Sequence, residues 1–359
     1  MCSEMVKEKI RVGIIGAGGY GGVGLIEHLI DHPSATISAL IEKQDINKPI
    51  SAIYPHLKGF CDLPLCDPGD PHCPDDFDIV FYATPDGVGQ KEARRWLGKG
   101  MRVIDYSGDF RFNDKESYVS YAARIGRTEE HADPGLLPSS VYGLPELHRA
   151  EIAGSDLIGN PGCFAVSCIL GVAPALKSGL IATEDIVVDA KTGVSGAGKT
   201  PSARFHFPAR YEAMNAYKVI GHQHVYEIER ELSLLGGTEI KITFTPHIVP
   251  LSRGIITTIY AHLQPKTNMR SMKDAYLAMY GDEPFIRVFS NGEILSTTDV
   301  RGSNFCNISL NIDQRTGKLI AIAVIDNLVK GQAGNAVQNM NIMMGIEETT
   351  GLMRPGRFP

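Results

Sequence analysis

Apolar positions in the first half of the chain fall into short continuous runs separated by stretches of helical spacing. Ile10–Ile15 is a run of strand length that breaks into the glycine-dense Gly16–Gly24. From Val23 to Ile30 apolar residues recur at helical spacing and stop before His32-Pro33, where proline removes an N–H and ends the helix. Thr36–Ile41 is a second β-type run, and Asp78–Ala83 a third, bounded by Thr84-Pro85-Asp86-Gly87. Lys91–Leu97 reads as helix and Arg102–Tyr106 as a fourth strand. Strands alternating with helices through short connections predict a parallel α/β sheet. Leu157–Ile158 then runs into Gly159-Asn160-Pro161-Gly162, and Cys163–Leu170 continues as an apolar helix.

From about Asp185 the rhythm changes. Asp185–Ala190, Ile240–Pro246, Gly254–Leu263, Phe305–Asn311 and Lys318–Ile325 are β-rich, with longer connections, while Val225–Leu235 and Met272–Tyr280 are helical. This predicts an α+β second domain with a larger sheet, antiparallel or mixed. Gly334–Gly345 reads as a final helix. There is no repeat at a period of roughly 20–50 residues and no low-complexity segment.

Composition narrows the function classes. A chain of 359 residues is two domains, or three, at about 100–200 residues each. With 43% hydrophobic and 21% charged residues it can bury a full core. A net charge of -6 argues against nucleic acid as a partner, because phosphate binding needs a basic face. No apolar run approaches the roughly 18 residues of a membrane span, so no membrane partner is expected. The first residues contain no apolar h-region, so no secretory signal is read there. Seven cysteines, an odd number scattered over a long chain, point to reduced thiols and a cytoplasmic setting.

Gly16-Ala17-Gly18-Gly19-Tyr20-Gly21 fits G-x-G-x-x-G after a strand and at the opening of a helix, the context of a Rossmann-type dinucleotide site. Gly16 permits the tight turn, Gly18 lets the backbone approach a pyrophosphate, and Gly21 lets helix and strand pack closely. Gly19 and Tyr20, at the helix start, complete the phosphate-facing set, since N–H groups and the helix dipole favour an anion there. Glu42 ends the second strand, where an acid accepts from a ribose 2′-hydroxyl and favours NAD; Lys43 beside it suits a 2′-phosphate instead. These residues leave the cofactor type open.

Gly193-Val194-Ser195-Gly196-Ala197-Gly198-Lys199-Thr200 matches G-x-x-x-x-G-K-T, but its sequel has prolines at Pro201 and Pro208 where a P-loop needs a helix. It is read as a glycine-rich loop at a ligand site with Lys199 exposed. Cys61, Cys66 and Cys73 with His56 and His72 match no common zinc spacing, so no metal is expected.

Cys163 falls at a helix start, where positive potential stabilises a thiolate, whereas Cys168 lies deeper in the same helix and Cys306 in a strand. His222 and His224 are two apart and cannot share a helix face, so they are not a metal pair. Either suits general acid–base work near neutral pH. Glu227, three residues after His224, can orient that ring, which favours His224. A nicotinamide site, a helix-start thiol and a histidine together point to thiolate attack on an activated acyl group, followed by hydride reduction of the thioester. A thiol-independent NAD(P) dehydrogenase on the same cofactor domain is the other reading.

With Asp109-Phe110-Arg111, Val141-Tyr142-Gly143-Leu144-Pro145-Glu146, Asn160-Pro161-Gly162-Cys163-Phe164, His222-Gln223-His224 and Asp326-Asn327-Leu328-Val329-Lys330-Gly331, the chain resembles the N-acetyl-gamma-glutamyl-phosphate reductase family nearly end to end. The resemblance implies NADP(H) as cofactor and a small anionic acyl phosphate as substrate. It implies an NADP-binding domain of 1–162 with 328–359, and a catalytic and oligomerisation domain of 163–327 in a homodimer or homotetramer. Cys163 is implied as nucleophile, with Ser195, Gly196 and Asn327 at the nicotinamide end. Arg111, Asn160, Lys199, Arg253 and His222, with Lys218, are candidates for holding the substrate, and arginine offers an anion bidentate geometry. Val166 stands where the family has Thr, Gln332 and Asn335 stand where it has Ala and Gln, and Glu42 is unusual for an NADP enzyme. Related enzymes act on N-succinylglutamyl or carrier-bound aminoadipyl phosphates, so the acyl substituent stays open.

Overall fold

Apolar strands that are buried on both faces need helices on both faces, and the first sheet has that form in the computed structural model, which describes residues 8–127 and 130–358. The N-terminal stretch read for a signal lies largely outside the described residues. The chain divides into two units, 1–118 with 130–160 and 336–353, and 119–129 with 161–335 and 354–359.

Seven strands make the sheet of the first unit: β1 (Ile10–Ile15), β2 (Ala35–Ile41), β3 (Leu65–Cys66), β4 (Ile79–Tyr82), β5 (Arg102–Asp105), β6 (Val141–Tyr142) and β7 (Leu157–Gly159). Their order is β3-β2-β1-β4-β5-β7-β6, and every neighbouring pair is parallel. β4 and β7 are buried throughout, as is the C-terminal part of β1. The chain leaves β1 to one side for β2 and crosses to the other for β4, so the C-terminal end of β1 is a topological switch point, where such sheets bind ligands. Ala336–Met353 is tied into this unit by buried amides: Asn339 Nδ2 donates to Gly143 O at 2.8 Å, and Asn341 Oδ1 lies 3.1 Å from His32 Nε2.

The second unit holds a sheet of the same strand number, not a larger one: β8 (Ile186–Thr192), β9 (Asn215–Ala216), β10 (Ile242–Ile248), β11 (Ile255–His262), β12 (Ile286–Phe289), β13 (Cys306–Asp313) and β14 (Lys318–Ile325). It is mixed: β8 with β10 and β12 with β13 are parallel, and the pairs β8–β11, β11–β14 and β13–β14 are antiparallel. β8 and β11 alternate buried and half-exposed positions, so one face is core and the other is only partly covered among the described residues.

Across the core face runs the helix Cys163–Lys177, apolar all round and buried from Phe164 to Leu176. Gly171 lets Ile259 of β11 approach, since an added Cβ would lie 2.7 Å from its Cδ1. Pro174 sits inside this helix and has no N–H for the carbonyl of Leu170. The Tyr280 hydroxyl, from the helix Met269–Tyr280, donates to that carbonyl at 2.9 Å, and Tyr276 serves Gly171 O at 2.6 Å. The exposed carbonyl is thereby satisfied in an apolar interior, where leaving it bare costs about 1–3 kcal/mol.

At the end of β7, a Cβ on Gly159 would overlap the main chain of Phe110 and Arg111, which has no side-chain freedom to yield. Gly159→Ala should therefore lower unfolding free energy by about 1–3 kcal/mol or more. A urea midpoint equal to that of the parent would contradict this.

Candidate active site

Cys163 is the first residue of its helix, and the N-cap, Gly162, has extended backbone and no capping side chain. The thiol is half-exposed, whereas Cys61, Cys168 and Cys306 are buried. Burial pushes the thiols of Cys61 and Cys168 up, and Cys73, which also feels Cys66, is raised to about 12. Those groups are poor thiolates at neutral pH.

The helix His224–Gly236 brings the acid–base candidates to the same place within the second unit. A Cβ on Gly162 would overlap the His224 ring, so the imidazole lies directly on the Cα preceding Cys163. Glu227 is fully buried, and its Oε2 accepts the Gly162 N–H at 3.0 Å. Its other oxygen lies 3.9 Å from His224 Nε2, beyond hydrogen-bond reach. Glu227 therefore anchors the turn before the thiol and places its second oxygen toward the His224 ring.

His222 is placed differently. Its Nδ1 accepts the His224 N–H at 3.2 Å, its Nε2 lies 3.4 Å from the Tyr217 hydroxyl, and Phe164 and Phe244 stand edge-on to the ring. Burial first, then the neighbouring His224 and Lys218, depress its pKa to about 2. His222 is neutral at physiological pH and buttresses His224; it carries no exchangeable charge there.

Ser195, Gly196 and Asn327 converge in the same unit. Asn327 is buried, its Oδ1 accepts the Gly254 N–H at 2.8 Å, and its Nδ2 donates to Ser195 Oγ at 3.0 Å. The Gly193–Gly198 loop is laced to its neighbour through Gly193 N–H to Gly254 O and Ser195 N–H to Ser252 O. After Lys199 come only a 3₁₀ turn at Ala203–Phe205 and the four-residue helix Phe207–Arg210, so no P-loop helix follows. Lys199 and Lys218 are exposed, and Arg253 Nη1 lies 3.8 Å from buried Asp326.

Asp326 was not singled out from the sequence, yet it organises this region. Its oxygens accept the N–H groups of Gly302 at 2.7 Å and Leu328 at 2.8 Å, and its carbonyl takes Gly331 N–H at 2.9 Å. That last bond spans five residues and belongs to the π-helical turn Val329–Ala333. The turn sets Gly331 against the nucleophile candidate: a Cβ there would be 2.7 Å from Cys163 Cβ. Gln332 lies within this turn, Asn335 is buried in the helix that follows it, and Val166 is buried in the cysteine helix. Tyr217 was likewise missed, its only signal being its place five residues before His222.

In the first unit, Gly16 turns the chain at φ +82°, and a Cβ on it would be 2.6 Å from Ala83 O. The helix Tyr20–Leu29 opens at Gly19 with no side-chain cap and no acid in its first turn, which suits a pyrophosphate. The close helix–strand contact falls on Gly22, where a Cβ would lie 2.5 Å from Gly16 O, while Gly21 is half-exposed. The tight positions are thus Gly16 and Gly22, and the packing role expected of Gly21 belongs to its neighbour. Gly18 N–H donates to Glu42 Oε2 at 3.1 Å and Lys43 is exposed. Arg111 is buried, with Nε on Asn160 O at 2.8 Å and Nη2 on Tyr106 O at 2.6 Å, so it braces the segment before Cys163. Asn160 Oδ1 accepts from Asn339 Nδ2 at 3.2 Å.

Two family models match the chain: semialdehyde dehydrogenase, NAD binding domain, over residues 11–155, and semialdehyde dehydrogenase, dimerisation domain, over 163–327. N-acetyl-gamma-glutamyl-phosphate reductase of Citrifermentans bemidjiense is 45% identical, covering 98% of this chain and 100% of its own. The enzyme of the same name from Bacillus cereus is 43% identical, covering 96% and 98%. Among solved structures, aspartate semialdehyde dehydrogenase II of Vibrio cholerae, complexed with ASA, superposes with a TM-score of 0.69 at 16% identity, over 94% of this chain and 99% of its own. Aspartate semialdehyde dehydrogenase of Candida albicans, with NADP, gives 0.65 at 14% identity, over 94% and 99%. These structures share the fold.

The depressed pKa of His222 has a consequence for stability. Between the ordinary histidine value of 6.5 and about 2, the unfolded chain holds a proton that the folded chain does not, so stability falls as pH drops through that window. His32 and His131, also lowered by burial, act in the same direction. Urea midpoints at pH 8, 6 and 5 should decline, and His222→Gln should flatten the decline; parallel curves for parent and variant would refute this.

Proposed function

The chain belongs to the N-acetyl-gamma-glutamyl-phosphate reductase family, and we propose on that premise that it reduces N-acetyl-gamma-glutamyl phosphate to N-acetylglutamate 5-semialdehyde with release of phosphate. It acts as an NADP(H)-dependent phosphorylating semialdehyde dehydrogenase of arginine biosynthesis. The observation that carries this reading is the half-exposed Cys163 thiol at a helix start, with the His224 ring on the glycine before it.

An acyl phosphate is already activated, so no ATP is required. Cys163 sulfur attacks the acyl carbon; the S–C bond forms, the C–O bond to phosphate breaks, and phosphate leaves with the bonding pair. When bound, NADPH supplies the hydride that converts the thioester to a hemithioacetal. His224 takes the thiol proton on attack, gives it to the oxygen made anionic by reduction, and recovers it as the aldehyde forms and the sulfur departs. His222, held neutral by burial, keeps His224 in place through the latter's N–H. Glu227 fixes Gly162, and Asn327 fixes Ser195 beside Gly196 at the nicotinamide end. Arg253 and Lys199 are assigned to the anionic ends of the substrate, Arg111 and Asn160 to shaping the turn, and Gly16, Gly18, Gly19, Tyr20 and Lys43 to the phosphates of the cofactor, with Gly22 packing the helix on the turn.

Homodimer formation is assigned to the face of the second sheet that carries Val187, Asp189, Lys191, Ile256, Thr258 and Tyr260, all half-exposed in one chain. The six described cysteines are all free, which accords with a cytoplasmic setting.

Cys163→Ser should abolish reduction while cofactor binding, read by fluorescence titration, stays intact; turnover in that variant would eliminate the thioester route. His224→Asn should lose about 10²-fold or more in kcat and His222→Asn less, and a reversed ranking would reassign the acid–base role. Run backwards, N-acetylglutamate semialdehyde and phosphate should reduce NADP; no reduction of NADP or NAD would reject the reaction itself.

A further inference from the structure

We infer that Glu42 sets the cofactor preference of this chain, so that the ribose end of the dinucleotide site accepts NAD(H) alongside NADP(H). This deepens the oxidoreductase reading and rests on it.

The argument starts from where β2 ends. The carbonyl of Ile41, its last residue, receives Gly16 N–H at 2.9 Å and Ala17 N–H at 3.4 Å, so the strand end abuts the glycine turn. Glu42 follows at once. Its own N–H bonds Cys66 O at 3.0 Å, its Oε1 accepts Lys43 N–H at 2.8 Å, and its Oε2 accepts Gly18 N–H at 3.1 Å. Gly18 is held from its other side by the Tyr54 hydroxyl, 2.9 Å from its carbonyl. The carboxylate is therefore fixed at the turn and cannot swing away without giving up two main-chain bonds.

A carboxylate accepts and does not donate, and each oxygen has a second lone pair beyond the bond described. It can take a hydrogen bond from a ribose 2′-hydroxyl, the arrangement that selects NAD at the end of this strand. A 2′-phosphate offers no proton and brings like charge. Of the nearby cations, Lys48 is paired with Asp45 at 2.7 Å, and Lys43 is exposed beside the carboxylate. One solvated lysine offsets the carboxylate repulsion in part, because exposed pairs are worth little. The outcome is a site in which neither ribose form is excluded.

The test is binding, measured by titrating the whole protein with NADPH and NADH, with kcat/KM for both as a second readout. The parent should bind the two within about tenfold of each other. Glu42→Gln keeps an acceptor oxygen and removes the charge, and Glu42→Ser removes the arm; each should move the Kd ratio toward NADPH by about tenfold or more. A parent that binds NADPH more than about 100-fold tighter than NADH, or variants whose ratio matches the parent, would overturn the inference. Should the binding ratios move as expected while neither cofactor supports acyl-phosphate turnover, the reaction reading fails and the inference on Glu42 stands.

Discussion

A thiol at a helix start can exchange its proton only with a base that reaches it, and in this chain the approach depends on a missing side chain. The His224 ring occupies the volume that a Cβ on Gly162 would need. Everything around the thiol preserves that clearance. Glu227 fixes the Gly162 amide, His222 holds the His224 amide, and Phe164 stands edge-on to both rings with Phe244 against that of His222. Gly331, placed by a π turn that Asp326 organises, leaves room for the cysteine itself. The site is defined as much by absent atoms as by reactive ones.

The parts of the fold legible in the sequence are those whose burial is uniform. β4 read directly because a strand covered on both faces is a continuous apolar run, β1 and β5 because residues 12–15 and 103–104 keep part of one, and β11 and β14 because of their length. The two-residue strands β3, β6 and β9 are too short to show any period. The helices Lys115–Arg124 and Pro145–Ala153 escaped because their apolar stripes are weak, although the second opens on a proline, which is a start signal at that position. Sequence spacing also underestimated the first sheet, which is as wide as the second.

The site shows the same division. Cys163 was legible because its motif and helix start coincide. The glycine fingerprint was legible as a motif but not in register: Gly18-Gly19 and Gly21-Gly22 are adjacent pairs, so two spacings fit one string, and only the packing of Gly22 on Gly16 separates them. On paper only Glu227, three residues on, separated His224 from His222. In the structure, Tyr217 and Phe244 close around His222, and Phe244 reaches it only through the tertiary fold. Glu227 was the right residue for a different bond, because its reach to Gly162 comes from the tertiary fold.

The carbonyl of Leu170 illustrates how such dependencies accumulate. Proline at 174 strips it of its natural partner, and a hydroxyl from a helix a hundred residues downstream covers the loss. The two residues are therefore coupled: with an N–H at 174 the oxygen keeps a helical donor, whereas proline at 174 without that tyrosine strands it in grease. Phenylalanine at 280 costs more beside this proline than it would beside alanine, so the identity of one helix constrains the other across the core.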